Sequence, residues 1–203
     1  MSGTRLMLVR HGETESNLRR ALDSAPPGPP LTPEGRRQAD ALADRLAADP
    51  VVAIYASTAT RAQQTAEPVA KAHGLPVEII DGVHEVFVGD LEGRTDSEAR
   101  DEFYDVFKAW AAGDLERSMP GGESAARIRE RYLTAIDQIL ERHPGGHVVV
   151  VSHGGVIRLV AQWLAGNVDH KLASVALLPN TGHVLLESAE SGWRCLEWTG
   201  VEL

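Results

Sequence analysis

The sequence predicts an α/β fold, a three-layer α/β/α sandwich around a mostly parallel central sheet. Short, strongly apolar runs alternate with amphipathic helical stretches over most of the 203 residues, as strands and crossover helices do. Two of those runs, Leu6 to Val9 and Val148 to Val151, carry no polar residue at all and read as buried strands. The chain is also long enough to bury a sizeable core.

Taken in order, Leu6–Val9 is the first strand. The polar, proline-rich stretch from Asn17 to Gly35 follows and reads as loop, and its six residues after Ser24, Ala25 to Pro30, read as a lip or lid. Thr32 and Pro33 make a helix start, as N-cap and first helical residue, and Ala39, Leu42, Ala43 and Leu46 then fall on one face. Val51 to Ala56 is the second strand. It runs through the polar turn Ser57–Thr60 into a helix that stops near Gly74, and a short strand lies around Val77–Ile80. Helix resumes between Ser97 and Ala112, where Phe103, Val106, Phe107 and Trp110 share a face. After Pro120-Gly121-Gly122 a long helix aligns Ile128, Tyr132, Ile136, Ile139 and Leu140. Pro144-Gly145-Gly146 turns into the His147–Val151 strand, and a helix covers about Gly155 to Gly166. Two or three late strands, SVALLP, GHVLLES and WRCLEW, finish the chain. No repeat or linker divides the chain, so residues 1–203 are expected to form one domain.

Composition narrows the function. Apolar residues are 43% and charged residues 24%, a globular profile, and the net charge of −9 argues against nucleic acid or an anionic membrane as partner. A small anionic ligand remains possible where arginines gather. One cysteine, Cys195, allows neither an internal disulfide nor a cysteine-rich metal site. The apolar run near the N-terminus is too short for a signal peptide and none is long enough to span a bilayer, so a cytoplasmic location is expected.

The chemistry gathers at strand ends, where open α/β sheets bind ligands. Arg10-His11-Gly12 ends one apolar strand, Ser152-His153-Gly154 ends another, and the loop after Val51–Ala56 delivers Arg61. If those strands are neighbours, two arginines and two histidines converge on one pocket. The glycines let backbone approach a ligand, and the helix after Gly154 can aim free N–H groups at an anion. A phosphoryl group fits such a pocket, because its oxygens match guanidinium forks and a histidine donor. A neutral imidazole can attack phosphorus, and a carboxyl group must then protonate the leaving oxygen. Glu85 is the best placed, with Asp81, Asp90 and Glu92 as rivals. Taken singly, these residues have plainer readings: Thr14, Asn17 and Ser57 as turn caps, Arg158 as a helix-face charge, His143 and His147 as structural.

Together they form a pattern. RHGETESN (Arg10–Asn17) resembles the signature of the histidine phosphatase superfamily, also called phosphoglycerate mutase-like. The likeness continues in order through LTPEGRRQADAL, YASTATRAQQTA, HEVFVGDLEG, PGGES and VVVVSHGG. The resemblance implies His11 as nucleophile forming a phosphohistidine. It implies Arg10, Arg61 and His153 as holders of the phosphoryl oxygens, with Asn17 and Gly154 assisting. Glu85 would be general acid and then general base, with no metal and no other cofactor. A small helical cap would occupy 94–122. Three positions depart from the family pattern: His84 stands where an arginine commonly precedes the acid, Leu91 replaces an aromatic, and the Leu22–Pro30 loop replaces a glutamine-glycine pair.

The expected function is a metal-independent phosphatase acting on a small phosphomonoester, because 94–122 is short for the insertion of cofactor-dependent mutases. A phosphoglycerate mutase-type phosphotransferase is the alternative, followed by a non-catalytic phospholigand-binding protein and a metallohydrolase. Arg19, Arg20, His84 and Trp110 are expected at the mouth of the site, and edges among the late strands could pair in a homodimer.

Overall fold

The computed structural model describes residues 3–203. Six strands form one sheet in the order β3-β2-β4-β1-β5-β6, where β1 is Arg5–Arg10, β2 Val51–Ala56, β3 Val77–Ile79, β4 His147–Ser152, β5 His183–Ala189 and β6 Gly192–Trp198. The first four in chain order pair in parallel, while β5 runs antiparallel to β1 and β6 antiparallel to β5. Seven helices accompany them: α1 Glu15–Leu18, α2 Pro33–Leu46, α3 Thr60–His73, α4 Ser97–Ala111, α5 Ala125–Arg142, α6 Gly154–Leu164 and α7 His170–Val175.

The apolar strands are covered on both sides, and side-chain alternation divides them between two cores. Leu6, Leu8, Val148 and Val150 pack with residues of α4, α5 and α6. Met7, Val9, Val149 and Val151 pack with Leu42 and Leu46 of α2 and Ala62, Ala66 and Val69 of α3. This division locates the site. Neighbouring strands β1 and β4 send their following long helices, α2 and α6, to opposite faces, and such a reversal opens a crevice beyond the strand ends.

Local signals account for the helix boundaries. Thr32 caps α2 by accepting from Gly35 N–H, with Pro33 as the first helical residue, and α3 ends at Gly74 with φ of 65°. Asp96, Ser124 and Asp169 cap α4, α5 and α7 with their side chains.

Two expectations need correction. SVALLP (Ser174–Pro179) is not a strand: Ser174 and Val175 close the short helix α7, and the remainder crosses the sheet end without regular structure. Its apolar residues fitted a strand by composition, but the Asp169 cap starts a helix just ahead of them. Single-turn α1 also falls where loop was expected. It is held by a reciprocal cap, in which Thr14 accepts from Asn17 N–H while the Asn17 side chain accepts from Thr14 N–H.

Candidate active site

Parallel register sets the site. Arg10 lies opposite Ser152 and Ala56 opposite Val151, so the chain leaves β1, β4 and β2 at one level. The backbone continues that alignment, with His11 N–H donating to Ser152 O (3.1 Å) and Ser57 N–H to Val151 O (3.1 Å). His11 and His153 are thereby brought edge to face with ring centroids 5.3 Å apart. Glycine is needed at position 12, because a Cβ there would sit 2.6 Å from the Gly35 carbonyl oxygen at the start of α2.

Each histidine has a defined tautomer. His11 Nδ1 lies 2.7 Å from the Gly12 carbonyl, which can only accept, so Nδ1 carries the proton. Its Nε2 accepts from Arg61 Nε at 3.2 Å and presents its lone pair. In His153 the order reverses: Nδ1 faces the Arg61 Nη2 donor at 3.4 Å, and Nε2–H donates to Ser57 Oγ at 2.8 Å. Burial, reinforced by the Arg61 and Arg10 charges, holds His11 well below the ordinary histidine range against the pull of the Gly12 carbonyl. Burial and Arg61 likewise hold His153 low, with His11, His84 and Arg131 adding to the effect. Both rings are neutral near pH 7.

Arg61 is buried at the start of α3. Its Nη2 donates to the Asp23 carbonyl (3.1 Å), and its Nη1 stands 3.6 Å from Asp23 Oδ1 and makes no hydrogen bond. The proline-rich loop packs against this side chain. Gly28, at φ of 64°, lies against the guanidinium where no Cβ would fit, and Pro27 O accepts from Thr60 N–H at 2.9 Å. Arg10 reaches across to donate to Leu178 O (2.6 Å) and passes close over Gly154.

Glu85 enters from the irregular stretch after β3. Its Oε1 accepts from Val86 N–H (2.9 Å) and Val156 N–H (2.8 Å), and its Oε2 accepts from Gly155 N–H (3.0 Å). Two of the free amides of α6, expected to face a ligand directly, are therefore taken up by this carboxylate. A Cβ on Gly155 would stand 2.9 Å from Oε1, so glycine is what lets the carboxylate seat there. Arg10, His11, Asn17, Arg61, Glu85 and Gly154 all line one cavity of about 270 Å³, and His153 lies directly behind His11 and Arg61.

The rival carboxylates are elsewhere. Asp81 is exposed beside His84, Asp90 packs against Gly121, and Glu92 grips the lip through the N–H groups of Ser24 and Ala25. The expected mouth residues also need correction. Arg19, Arg20 and His84 do not line the cavity, and Trp110 is wholly buried in the core, donating to Arg117 O at 2.6 Å. Phe103, Tyr104, Leu177 and Leu178 line it instead. Trp110 shares a predicted face with Phe103, but seven residues of helix carry it away from the cavity into the core.

Three lining or supporting residues carried no readable signal in the sequence. Asp23 lines the cavity with Oδ2 buried and unpartnered. Ser57, read as a turn cap, orients His153 as well as accepting from Ala59 N–H. Arg158, read as an exposed helix charge, is buried. It lies 4.1 Å over the Phe107 ring and donates to the carbonyls of Gly154, Ala173 and Ser174, and burial pulls its pKa down to about 10. Only the helical register with Phe107 facing it could have signalled that burial.

No group of three or more His, Cys, Asp or Glu among the described residues is placed to hold a metal ion. No helix among the described residues is long and apolar enough to cross a membrane.

Comparison with known proteins agrees with this architecture. A metal-independent phosphoserine phosphatase from Arabidopsis thaliana is 35% identical over 161 residues, covering 77% of this chain and 67% of that protein. A probable phosphoglycerate mutase, GpmB, from Yersinia enterocolitica is 32% identical over 193 residues, covering 95% and 89%. Among solved structures, a mycobacterial glucosyl-3-phosphoglycerate phosphatase complexed with VO3 superposes with a TM-score of 0.84 at 26% identity, over 97% of this chain and 99% of that one. The sequence profile described as Histidine phosphatase superfamily (branch 1) matches residues 6–200, and the chain belongs to that family.

Proposed function

We propose that the protein is a phosphatase that hydrolyses a small phosphomonoester through a phosphohistidine on His11. The observation that carries this reading is the fixed His11 tautomer. Nδ1–H is held by the Gly12 carbonyl, so the lone pair is on Nε2, where it accepts from Arg61 Nε at the cavity wall and is released for attack when phosphoryl oxygens take up the guanidinium.

In the first step Nε2 attacks phosphorus and the ester P–O bond breaks. Arg10 and Arg61 hold the phosphoryl oxygens, His153 supports Arg61 from behind the lining through its Nδ1, and Asn17 and Gly154 complete the rim. The ring becomes cationic on phosphorylation, and the Gly12 carbonyl at Nδ1–H stabilises that charge. The leaving oxygen takes a proton from Glu85. Three N–H groups occupy three of the four lone-pair sites of that carboxyl group, leaving one on Oε2 for the transferable proton. In the second step Glu85 accepts a proton from water as the water attacks phosphorus. The N–P bond breaks, orthophosphate leaves, and both His11 and Glu85 return to their starting forms.

Hydrolysis is favoured over phosphoryl shuttling because the cavity mouth admits water, with Tyr104 and Leu177 both exposed at its edge. The relative named as a phosphoserine phosphatase supports the same choice. The test is phosphate release from a panel of phosphomonoesters in the presence of chelator, alongside trapping of labelled enzyme by an alkaline denaturing quench. Release with an acid-labile, base-stable label on His11 is the expected result. Transfer to a second phosphorylated acceptor without release would instead make the protein a mutase.

A further inference from the structure

The segment that carries Glu85 has no strand or helix to hold it. Residues 80–88 leave β3 and cross the sheet end without a hydrogen-bonded ladder. Such a stretch satisfies its backbone through other partners, and here four consecutive carbonyls are bound by side chains from distant elements. Ser152 Oγ donates to Val83 O at 2.7 Å. The other three belong to one residue of α5: Arg131 Nη1 donates to Gly82 O (2.7 Å) and His84 O (2.9 Å), and Nη2 donates to Glu85 O (2.9 Å).

The remaining donors of Arg131 meet Glu123, with Nε on Oε1 and Nη2 on Oε2, both at 2.8 Å. All five guanidinium N–H groups are thus engaged. Glu123 belongs to the PGGES block and holds the far side of the same segment, accepting from Phe87 N–H at 3.0 Å, while its own N–H donates to Phe87 O at 3.0 Å. Gly82, at φ of 90°, lets the segment press onto α5, where a Cβ would stand 2.7 Å from Arg131 O. Neither Arg131 nor Glu123 lines the cavity, and both are largely shielded from solvent.

We propose that Arg131 and Glu123 are positioning residues for the proton step, fixing the backbone of residues 82–87 so that Glu85 Oε2 faces the leaving oxygen. The inference rests on the reading of Glu85 as the proton donor. A planar fork is required, because only a guanidinium can reach three carbonyls and both oxygens of one carboxylate at once; a lysine has a single nitrogen to do so. The family position that commonly holds an arginine is His84 here, yet a guanidinium still grips this segment, supplied from α5. Proton transfer is sensitive to placement, and misplacement by about 1 Å costs about 10²-fold.

The test compares kcat/KM for alkyl phosphomonoesters, whose leaving oxygen needs a proton, with that for nitrophenyl phosphate, whose leaving group needs none. Wild type, Arg131→Ala, Glu85→Gln and the double variant are measured together. The expected result for Arg131→Ala is a loss of about 10²-fold on alkyl esters and only a few-fold on the aryl ester. In the Glu85→Gln background it should cause no further loss. Arg131→Lys and Glu123→Gln retain most of the local packing and should show the same skew to a smaller degree, which keeps the test available should Arg131→Ala fail to fold. Equal losses on both ester classes, or full additivity with Glu85→Gln, would overturn the positioning role. If Glu85→Gln itself shows no leaving-group skew, the assignment of Glu85 falls and takes this proposal with it. A skew in Glu85→Gln but not in the Arg131 and Glu123 variants removes this proposal alone.

Discussion

The two halves of the cavity are held by different devices. The phosphoryl half rests on strand ends: His11 and His153 follow β1 and β4, whose parallel register places them at one level, and Arg61 opens the helix after β2. The leaving-group half rests on irregular backbone, with Glu85 tethered by side chains of α5 and β4 and by amides of α6. A sheet ladder needs no particular side chain to keep its register. A tethered segment depends on each tether, and so its geometry can be altered by residues that never approach the ligand.

The largest effect should come from the strand half. His11→Ala is expected to reduce phosphate release to background, since no other ring nitrogen in the cavity has its lone pair presented in the same way. Turnover near that of wild type would place the nucleophile elsewhere. Removing Arg61 as Arg61→Ala should lower kcat/KM by about 10²–10³, the usual loss for one preorganised charge donor. A comparable loss for alkyl and aryl esters is expected, in contrast to the Glu85 half, because the phosphoryl oxygens are common to both substrates. A leaving-group skew in Arg61→Ala would erase the distinction between the two halves.

A smaller effect should report on the rigidity of the strand half. In Gly12→Ala the new Cβ meets the Gly35 backbone, which has no flexible side chain to yield, so unfolding free energy should drop by ~1–3 kcal/mol. Denaturant midpoints measure this, and an unchanged midpoint would mean that the start of α2 shifts freely. The gentlest test is pH. Burial holds His11, His84, His147 and His153 below the ordinary histidine value, so the unfolded chain binds more protons than the native one once pH falls below about 6.5. Stability should therefore decline from pH 7 to pH 5, before the carboxylates titrate. A flat midpoint over that window would mean that these rings become charged in the folded state.

The same contrast separates what could be read in advance from what could not. Strands β1, β2 and β4 announced themselves by unbroken apolar runs, and the polar residues ending those runs had to lie at the sheet edge. Arg10, His11, Arg61 and His153 were therefore legible together. The apolar run Ser174–Pro179 misled, because residues covering a sheet end have the same composition as residues within a sheet. Trp110 and Arg158 misled in the same direction, both lying deeper than their sequence reading placed them. Helical periodicity gives a face, but the depth of that face depends on what packs against it, and Phe107 beneath the Arg158 guanidinium makes a cation buriable.

By itself the sequence determined the alternation of elements, the family, and which polar residues gather at the strand ends, because each depends on patterns along the chain. Tertiary structure alone decided the tautomer of His153, the pairing of His11 Nε2 with Arg61, the seating of Glu85 on the amides of α6, and the grip of Arg131 on residues 82–85. Those contacts join positions 46 to 96 residues apart, and no local pattern specifies a hydrogen bond across such a separation.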